Sequence, residues 1–181
     1  TMYQNLKLYR YNLKRERSLF FIQWYNFCDS LLIKTSPKIF HLWRNFIYRL
    51  FGAKIGASVR IASSTRILYP WNVEIGDYCW IGNHCNLYSV AKIKIGNNVA
   101  LAHNVFLATA SHDLQSETFE TLAAPIIIED EAWLSSNVFV NKGVTIHKGV
   151  AVGSCTLVTK DLPEGYICLG IPAKPIKKRH I

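Results

Sequence analysis

Carboxylates are nearly missing from the first third of this chain. Residues 1–54 hold two Asp/Glu against ten Lys/Arg, a net of +8, whereas residues 55–181 hold ten against eleven, a net of +1; the two sum to the +9 of the whole chain. Long apolar runs are missing too. No stretch reaches the ~18 uninterrupted apolar residues of a membrane span, because Gln23, Asn26, Asp29 and Lys34 break the most apolar segment. The five cysteines are an odd number without paired spacing, which argues against a disulfide framework and fits a reducing, cytoplasmic compartment. The start shows no compact apolar stretch followed by a small-residue cleavage site, so no secretory signal is expected. Period-two alternation with turns every ~8–12 residues, the mark of a β-sandwich, is absent. No recognised motif accompanies the positive charge, so nucleic acid is not an expected partner.

What the chain does have is a six-residue beat. Aliphatic residues fall at Ile55, Ile61, Ile67 and Val73, restart at Ile75, Ile81, Leu87 and Ile93, and restart again at Ile95, Leu101 and Leu107. After an interruption the beat resumes at Ile128, Leu134, Val140, Ile146, Val152 and Val158. A Gly or Ala often follows the beat residue, and a small residue (Val59, Thr65, Cys79, Cys85, Val99, Val105) usually stands four places after it. So short a period is the signature of a parallel β-helix. Three units of six close a triangular coil, with the aliphatic residue pointing inward and the small one near the corner; glycine is expected where the turn needs unusual backbone angles. The two-residue steps Val73–Ile75, Ile93–Ile95 and Ile126–Ile128 mark the joins between coils. Five to six coils at ~4.8 Å each predict a prism roughly 25–30 Å tall. The expected class is all-β: a parallel β-helix over residues 55–163, a helical segment over 1–54 and a basic tail over 164–181.

Within the first segment, residues 18–34 and 38–51 read as two helices. Ser18 suits a cap, Pro37 separates them and Gly52 suits a stop. Both are rich in aromatics and basic residues. Two readings stay open: the apolar faces pack on the β-helix or a neighbouring subunit, or they lie in a membrane interface.

The beat fails after Leu107. A polar loop over 113–124 costs little where it leaves a prism at a corner, and such loops commonly carry function. His112 stands where the loop departs, and an imidazole is the natural general base near neutral pH. His84, His103 and His147 lie on repeat turns, His41 in the helical segment and His180 in the tail.

Several longer stretches carry a family likeness. They are Leu50 to Gly56, Tyr69-Pro70-Trp71 with Glu74-Ile75-Gly76-Asp77, Ser111-His112-Asp113, Pro125 to Asp130 with Ala132-Trp133, Val158-Thr159-Lys160-Asp161-Leu162-Pro163 and Gly170-Ile171-Pro172-Ala173-Lys174. With these the chain resembles the bacterial hexapeptide-repeat O-acetyltransferases, the left-handed β-helix group that includes galactoside and maltose acetyltransferases. Within it, the basic aromatic N-terminus resembles the exopolysaccharide, colanic-acid-type members. The resemblance implies a homotrimer that transfers acetyl from acetyl-CoA to a sugar hydroxyl without a metal, in grooves between adjacent prisms. It places the catalytic base at His112 and contacts to the donor at Ser136, Ser154, Thr159, Lys160, Lys174 and Lys177, with Trp133 nearby; Lys178 and Arg179 extend the cationic run. The expected acceptor is an exopolysaccharide or a lipid-linked oligosaccharide precursor, and the sharper reading of the basic aromatic segment is that it brings the enzyme to a lipid-linked acceptor at the inner face of a membrane.

One departure bears on the acceptor. Galactoside-type members carry an asparagine where this chain has Gly82, and an acid where it has Val90, so Asn83, His84 or Asn86 is expected to take over acceptor binding. Other classes remain: a zinc enzyme of the γ-type carbonic anhydrase kind using His84, His103 and His112, a non-catalytic scaffold, or transfer to an amine or another small acceptor.

Overall fold

The computed structural model describes residues 3 and 5–180. Its body is a left-handed parallel β-helix of about six turns with three faces. The first face stacks Lys54–Ile55, Val73–Ile75, Ile93–Ile95, Ile126–Ile128 and Thr145–Ile146. The second stacks Arg60–Ile61, Trp80–Ile81, Ala100–Leu101, Trp133–Leu134, Ala151–Val152 and Tyr166–Leu169. The third stacks Arg66–Ile67, Asn86–Tyr88, Phe106–Ala108, Phe139–Val140 and Leu157–Val158. Ile55, Ile75, Ile95, Ile128 and Ile146 lie in register, as do Ile61, Ile81, Leu101, Leu134 and Val152. Every beat residue is buried, and so are the small residues four places on. The two-residue steps are longer strands on the first face, with both Val73 and Ile75 turned inward.

The glycines sit one residue past the beat for a reason other than unusual backbone angles. The left-handed conformation occurs two residues later, at Ser58, Tyr78, His84, Asn98, Asn104, Glu131, Asn137 and Cys155; the expectation of glycine there holds in the later coils, at Gly143 (φ 78°) and Gly149 (φ 69°). At Gly82 the constraint is close approach: a Cβ would stand 2.4 Å from the Ala102 carbonyl oxygen of the next coil.

Two helices close the N-terminal end, α1 (Leu19–Cys28) and α2 (His41–Leu50). The first continues through a π-helical turn, Asp29–Ile33. Ser18 accepts a hydrogen bond from the Phe21 amide as α1's cap, and Gly52 (φ 93°) ends α2's exit. Tyr25, Ile33, Ile47, Tyr48 and Phe51 share one core with the β-helix.

Hydrogen bonding explains why the cap is needed. In each later coil the carbonyls accept amide protons from the coil before: Gly56 N–H to Ile75, Arg60 to Cys79, Ala62 to Ile81, Arg66 to Cys85 and Leu68 to Leu87. The first coil has no coil before it, so its equivalent carbonyls form an exposed sheet edge. Side chains of the helices meet them. Arg49 donates to Ile55 O, Asn45 to Val59 O, Arg44 to Ile61 O, Tyr48 to Thr65 O at the 3.5 Å limit and Tyr25 to Ile67 O.

At the other end the stretch expected as a tail is paired. Tyr166–Leu169 adds in parallel to Ala151–Val152, and Lys174–Lys178 returns antiparallel on it. Arg179 donates to the carbonyls of Glu131 and Gly149 while its side chain stays exposed. Unmatched edges at the end of a solenoid favour such closure.

Candidate active site

The chain leaves the prism after Phe106–Ala108 as an antiparallel hairpin, Ala110–His112 with Thr121–Ala123. Its base is tied to the coil, where Thr109 Oγ1 donates to Tyr88 O, accepts from the Ala91 amide, and Thr109 O accepts from Ala124 N–H. Half-buried His112 pairs across the hairpin with Thr121. Its Nδ1 lies 2.9 Å from the backbone carbonyl oxygen of Phe119, and its ring stacks on the Phe119 ring at 4.1 Å and 8°. A carbonyl oxygen only accepts, so in the neutral ring Nδ1 carries the proton and Nε2 the lone pair. Asp113, the neighbour in sequence, plays no part in this; its carboxylate accepts from the Gln115 amide.

The N-terminal arm fastens the same hairpin. Asn12 takes both backbone groups of Thr121, accepting from its N–H at 3.0 Å and donating to its C=O at 3.2 Å. The Tyr9 hydroxyl meets Thr121 Oγ1 at 3.0 Å, while the Tyr9 ring stands edge-on to His112 at 5.8 Å. Nothing in the spacing of residues 5–12 signals this role; it depends on contacts more than a hundred residues away in sequence.

The remaining candidates divide between two edges of the prism. The turns from second to third face bring Asn83, His84, Ser136 and Ser154 into one column, with exposed Trp133 just before it and Asn86 just after it. Ser135 and Ser154 hydroxyls meet at 2.8 Å along this column. Thr159 and Lys160 lie on the edge from third to first face, the one from which His112's hairpin departs, and Lys174 and Lys177 on the returning strand of the second face. Between the two edges, the outward side of the third face holds Asn86, Phe106, Phe139 and Leu157 in register, with Phe106 and Phe139 stacked at 5.0 Å. Asn86 Oδ1 is buried there without a partner. A single chain therefore does not gather all the expected residues at one place.

One recess escaped the sequence reading. A cleft of about 670 Å³ runs along the second face, lined by Lys38, His41, Arg60, Trp80, His103 and Trp133 among others. Trp80, Ala100 and Trp133 are in register, so small Ala100 leaves a gap between two indoles. The guanidinium of Arg60 lies over Trp80 at 5.6 Å. The signal was available for part of it: Arg60, Trp80, Ala100 and Trp133 each immediately precede a beat residue and must point outward. His103 is oriented oppositely to His112, since its Nδ1 accepts from the Asn83 amide at 3.1 Å, leaving Nε2 as the donor in the neutral ring. Among the described residues, no group of three or more His, Cys, Asp or Glu is arranged to hold a metal.

No family model matches the chain. It is 44% identical over 151 residues to the colanic acid biosynthesis acetyltransferase WcaF of Escherichia coli, covering 83% of each. It is 29% identical over 129 residues to the galactoside O-acetyltransferase of the same organism, covering 70% of this chain and 64% of that one. Among solved structures, a maltose O-acetyltransferase from Clostridium difficile superposes with a TM-score of 0.75 at 29% identity, covering 91% of this chain and 90% of the other. A hexapeptide-repeat acetyltransferase from Vibrio cholerae, complexed with acetyl-CoA, superposes with a TM-score of 0.84 over 97% of each chain at 24% identity, a likeness of fold. By its WcaF likeness over most of its length, the chain belongs to the hexapeptide-repeat acetyltransferases and is an acetyltransferase.

Proposed function

We propose that this enzyme moves the acetyl group of acetyl-CoA to a hydroxyl of a saccharide, of the exopolysaccharide or lipid-linked precursor class, with His112 as general base. The observation that carries the reading is the Nδ1–Phe119 carbonyl contact, which leaves Nε2 unprotonated in the neutral ring. A sugar hydroxyl is a weak nucleophile at neutral pH. His112 Nε2 takes its proton as the oxygen attacks the thioester carbonyl, and the resulting imidazolium returns the proton to the departing sulfur. His103 is unsuited to that role because its neutral ring presents a donor at Nε2.

The residues present suit an extended, phosphorylated donor. The hydroxyl column of Ser135 and Ser154, with Ser136 beside it, offers polar contacts along one edge, Trp133 offers a flat apolar wall, and Lys160, Lys174 and Lys177 offer cations for phosphate. The division of these groups between two edges supports a homotrimer in which His112 of one subunit faces the column of its neighbour. Asn83, His84 and the unpartnered Asn86 then lie beside the acceptor. The WcaF likeness supports a polysaccharide acceptor.

The test is a calorimetric titration of acetyl-CoA, with turnover assayed on oligosaccharide acceptors. Binding near one site per chain is expected, weakened by Lys160→Ala or Lys174→Ala. His112→Ala should retain donor binding and lose ~10²–10⁴-fold in turnover. Near-normal turnover in that variant removes His112 from the mechanism. An acetylated product stable to mild alkali would be an amide and would shift the acceptor to an amine.

A further inference from the structure

The helical cap presents an apolar surface that the prism does not use. Along α1 and the turn after it, Phe20, Trp24, Phe27 and Leu31 are each more than half exposed and spaced by four, three and four residues, one helical stripe. On α2, Leu42, Phe46 and Leu50 form a second stripe, 51–68% exposed, opposite the buried Arg44, Ile47 and Tyr48. Ile39, at 76% exposure, extends it. Large aromatics repeating at helical spacing on the outside mark a docking surface rather than scattered surface residues.

The charge around these stripes selects the partner. Lys14, Arg15, Arg17, Lys34, Lys38 and Arg49 flank them in sequence. Among the described residues, the side chains of all but Lys34 and Arg49 are without a carboxylate or carbonyl tie to the cap, and the whole segment has two carboxylates. One of these, Asp29, is buried and paired with Lys34 at 3.0 Å. The exposed rim is therefore almost purely cationic. A second copy docking through this face would bring two segments of net +8 together, and such like-charge juxtaposition is unfavourable. An anionic bilayer has the complementary sign, and aromatic side chains with basic neighbours suit its headgroup region. Both α-helices are ten residues long, and no described helix is long and apolar enough to cross a membrane, so the geometry is that of a surface contact.

We infer that the cap docks this acetyltransferase, end-on, to an anionic phospholipid surface. The first coil then faces the bilayer. The His112 hairpin leaves the third coil, two spacings or roughly 10 Å farther out, with a helix about 10 Å thick beneath. On the acceptor class proposed above, on which this one consequence rests, such a height suits a saccharide projecting from a lipid carrier.

The experiment is vesicle flotation of the full chain, using phosphatidylcholine with and without phosphatidylglycerol, at low and high salt. The native protein should float with the anionic vesicles, and less so at high salt. Phe20→Ser/Phe46→Ser should bind about tenfold more weakly or worse, with unchanged oligomeric mass and acetyl-CoA affinity. Native protein that stays down with anionic vesicles overturns the inference. So does a variant that changes oligomeric mass, because the face would then be a subunit contact. Flotation without acetyl-CoA binding would support the docking surface while removing the transferase reading, so the two fail separately.

Discussion

If the N-terminal arm holds the general base in place, Asn12→Ala should lower turnover without touching donor binding. The side chain makes two hydrogen bonds to one residue, Thr121, at 3.0 and 3.2 Å, and Thr121 is the cross-strand partner of His112. At roughly 0.5–1.5 kcal/mol each, the pair contributes about 1–3 kcal/mol to docking of arm on hairpin. With tenfold per 1.4 kcal/mol, the docking equilibrium weakens by roughly 5- to 150-fold. Tyr9→Phe removes one bond to a hydroxyl free to find water and should do less. The readouts are kcat and KM for acetyl-CoA, with hydrogen exchange over residues 109–124. A fall in kcat, an unchanged donor KM and faster exchange are expected, since the residues proposed to contact the donor lie off the hairpin. Faster exchange with native kcat would refute the reasoning, because the hairpin would then be free and the base still competent. Unchanged exchange would show that the clasp contributes nothing.

Tyr25→Phe deletes the hydroxyl that meets Ile67 O on the open first coil; leaving that carbonyl buried and unpartnered should cost about 1–3 kcal/mol, a drop of roughly 2–12 °C in Tm on melting, and an unchanged Tm would refute the edge argument. Burial raises the Asp29 carboxyl above its ordinary value of 3.8, outweighing Lys34. Its proton is held more tightly folded than unfolded, so its contribution is full at acid pH and lost as pH rises through the folded pKa. Asp29→Asn should therefore gain on the native protein in urea melts as pH rises from below that range to neutrality; a constant difference would refute the assignment. Cys155 is exposed beside Ser154, whereas the other four thiols are buried and Cys85 is pushed up to about 11. A disulfide reagent should label one thiol quickly in native protein, and acetyl-CoA should slow it; labelling at an undiminished rate would place the donor elsewhere.

Much of the architecture was legible because a parallel coil repeats one local environment. Ile55, Ile75, Ile95 and Ile128 occupy equivalent places, so one period names them all. Ser18 and Gly52 were legible for an equally local reason, a cap and a stop. The rest depends on partners distant in the chain. Arg44 is a surface residue by composition, yet it is 1% exposed because its guanidinium donates to Ile61 O on the open first coil and to Pro37 O and Lys38 O in the helical cap. Asn12 likewise has no periodic position to betray it. Residues 166–178 lie beyond the last six-residue beat, so only the need to cover an open sheet edge implied their pairing.

The glycine departure shows where local and family reasoning part company. Gly82 looked like the loss of a side chain that grips the acceptor. In the structure no side chain fits there without backbone movement, since a Cβ would also stand 2.7 Å from the Ala102 carbonyl carbon. The neighbouring coil comes this close because Ala102 directly follows Leu101, in register with Ile81. The absence is thus a packing condition of this stack of coils, and any grip on an acceptor at this edge must come from residues that point away from the axis. Asn83 and His84 are exposed at the same turn, but the Asn83 amide is committed to His103 Nδ1 and the His84 amide to Ser64 Oγ. Their backbones are fixed, and Asn83 Oδ1 accepts from the Ser64 hydroxyl at 3.2 Å. The Asn83 carboxamide is thus held in place beside the exposed His84 ring, an arrangement suited to presenting polar groups to a ligand at low conformational cost.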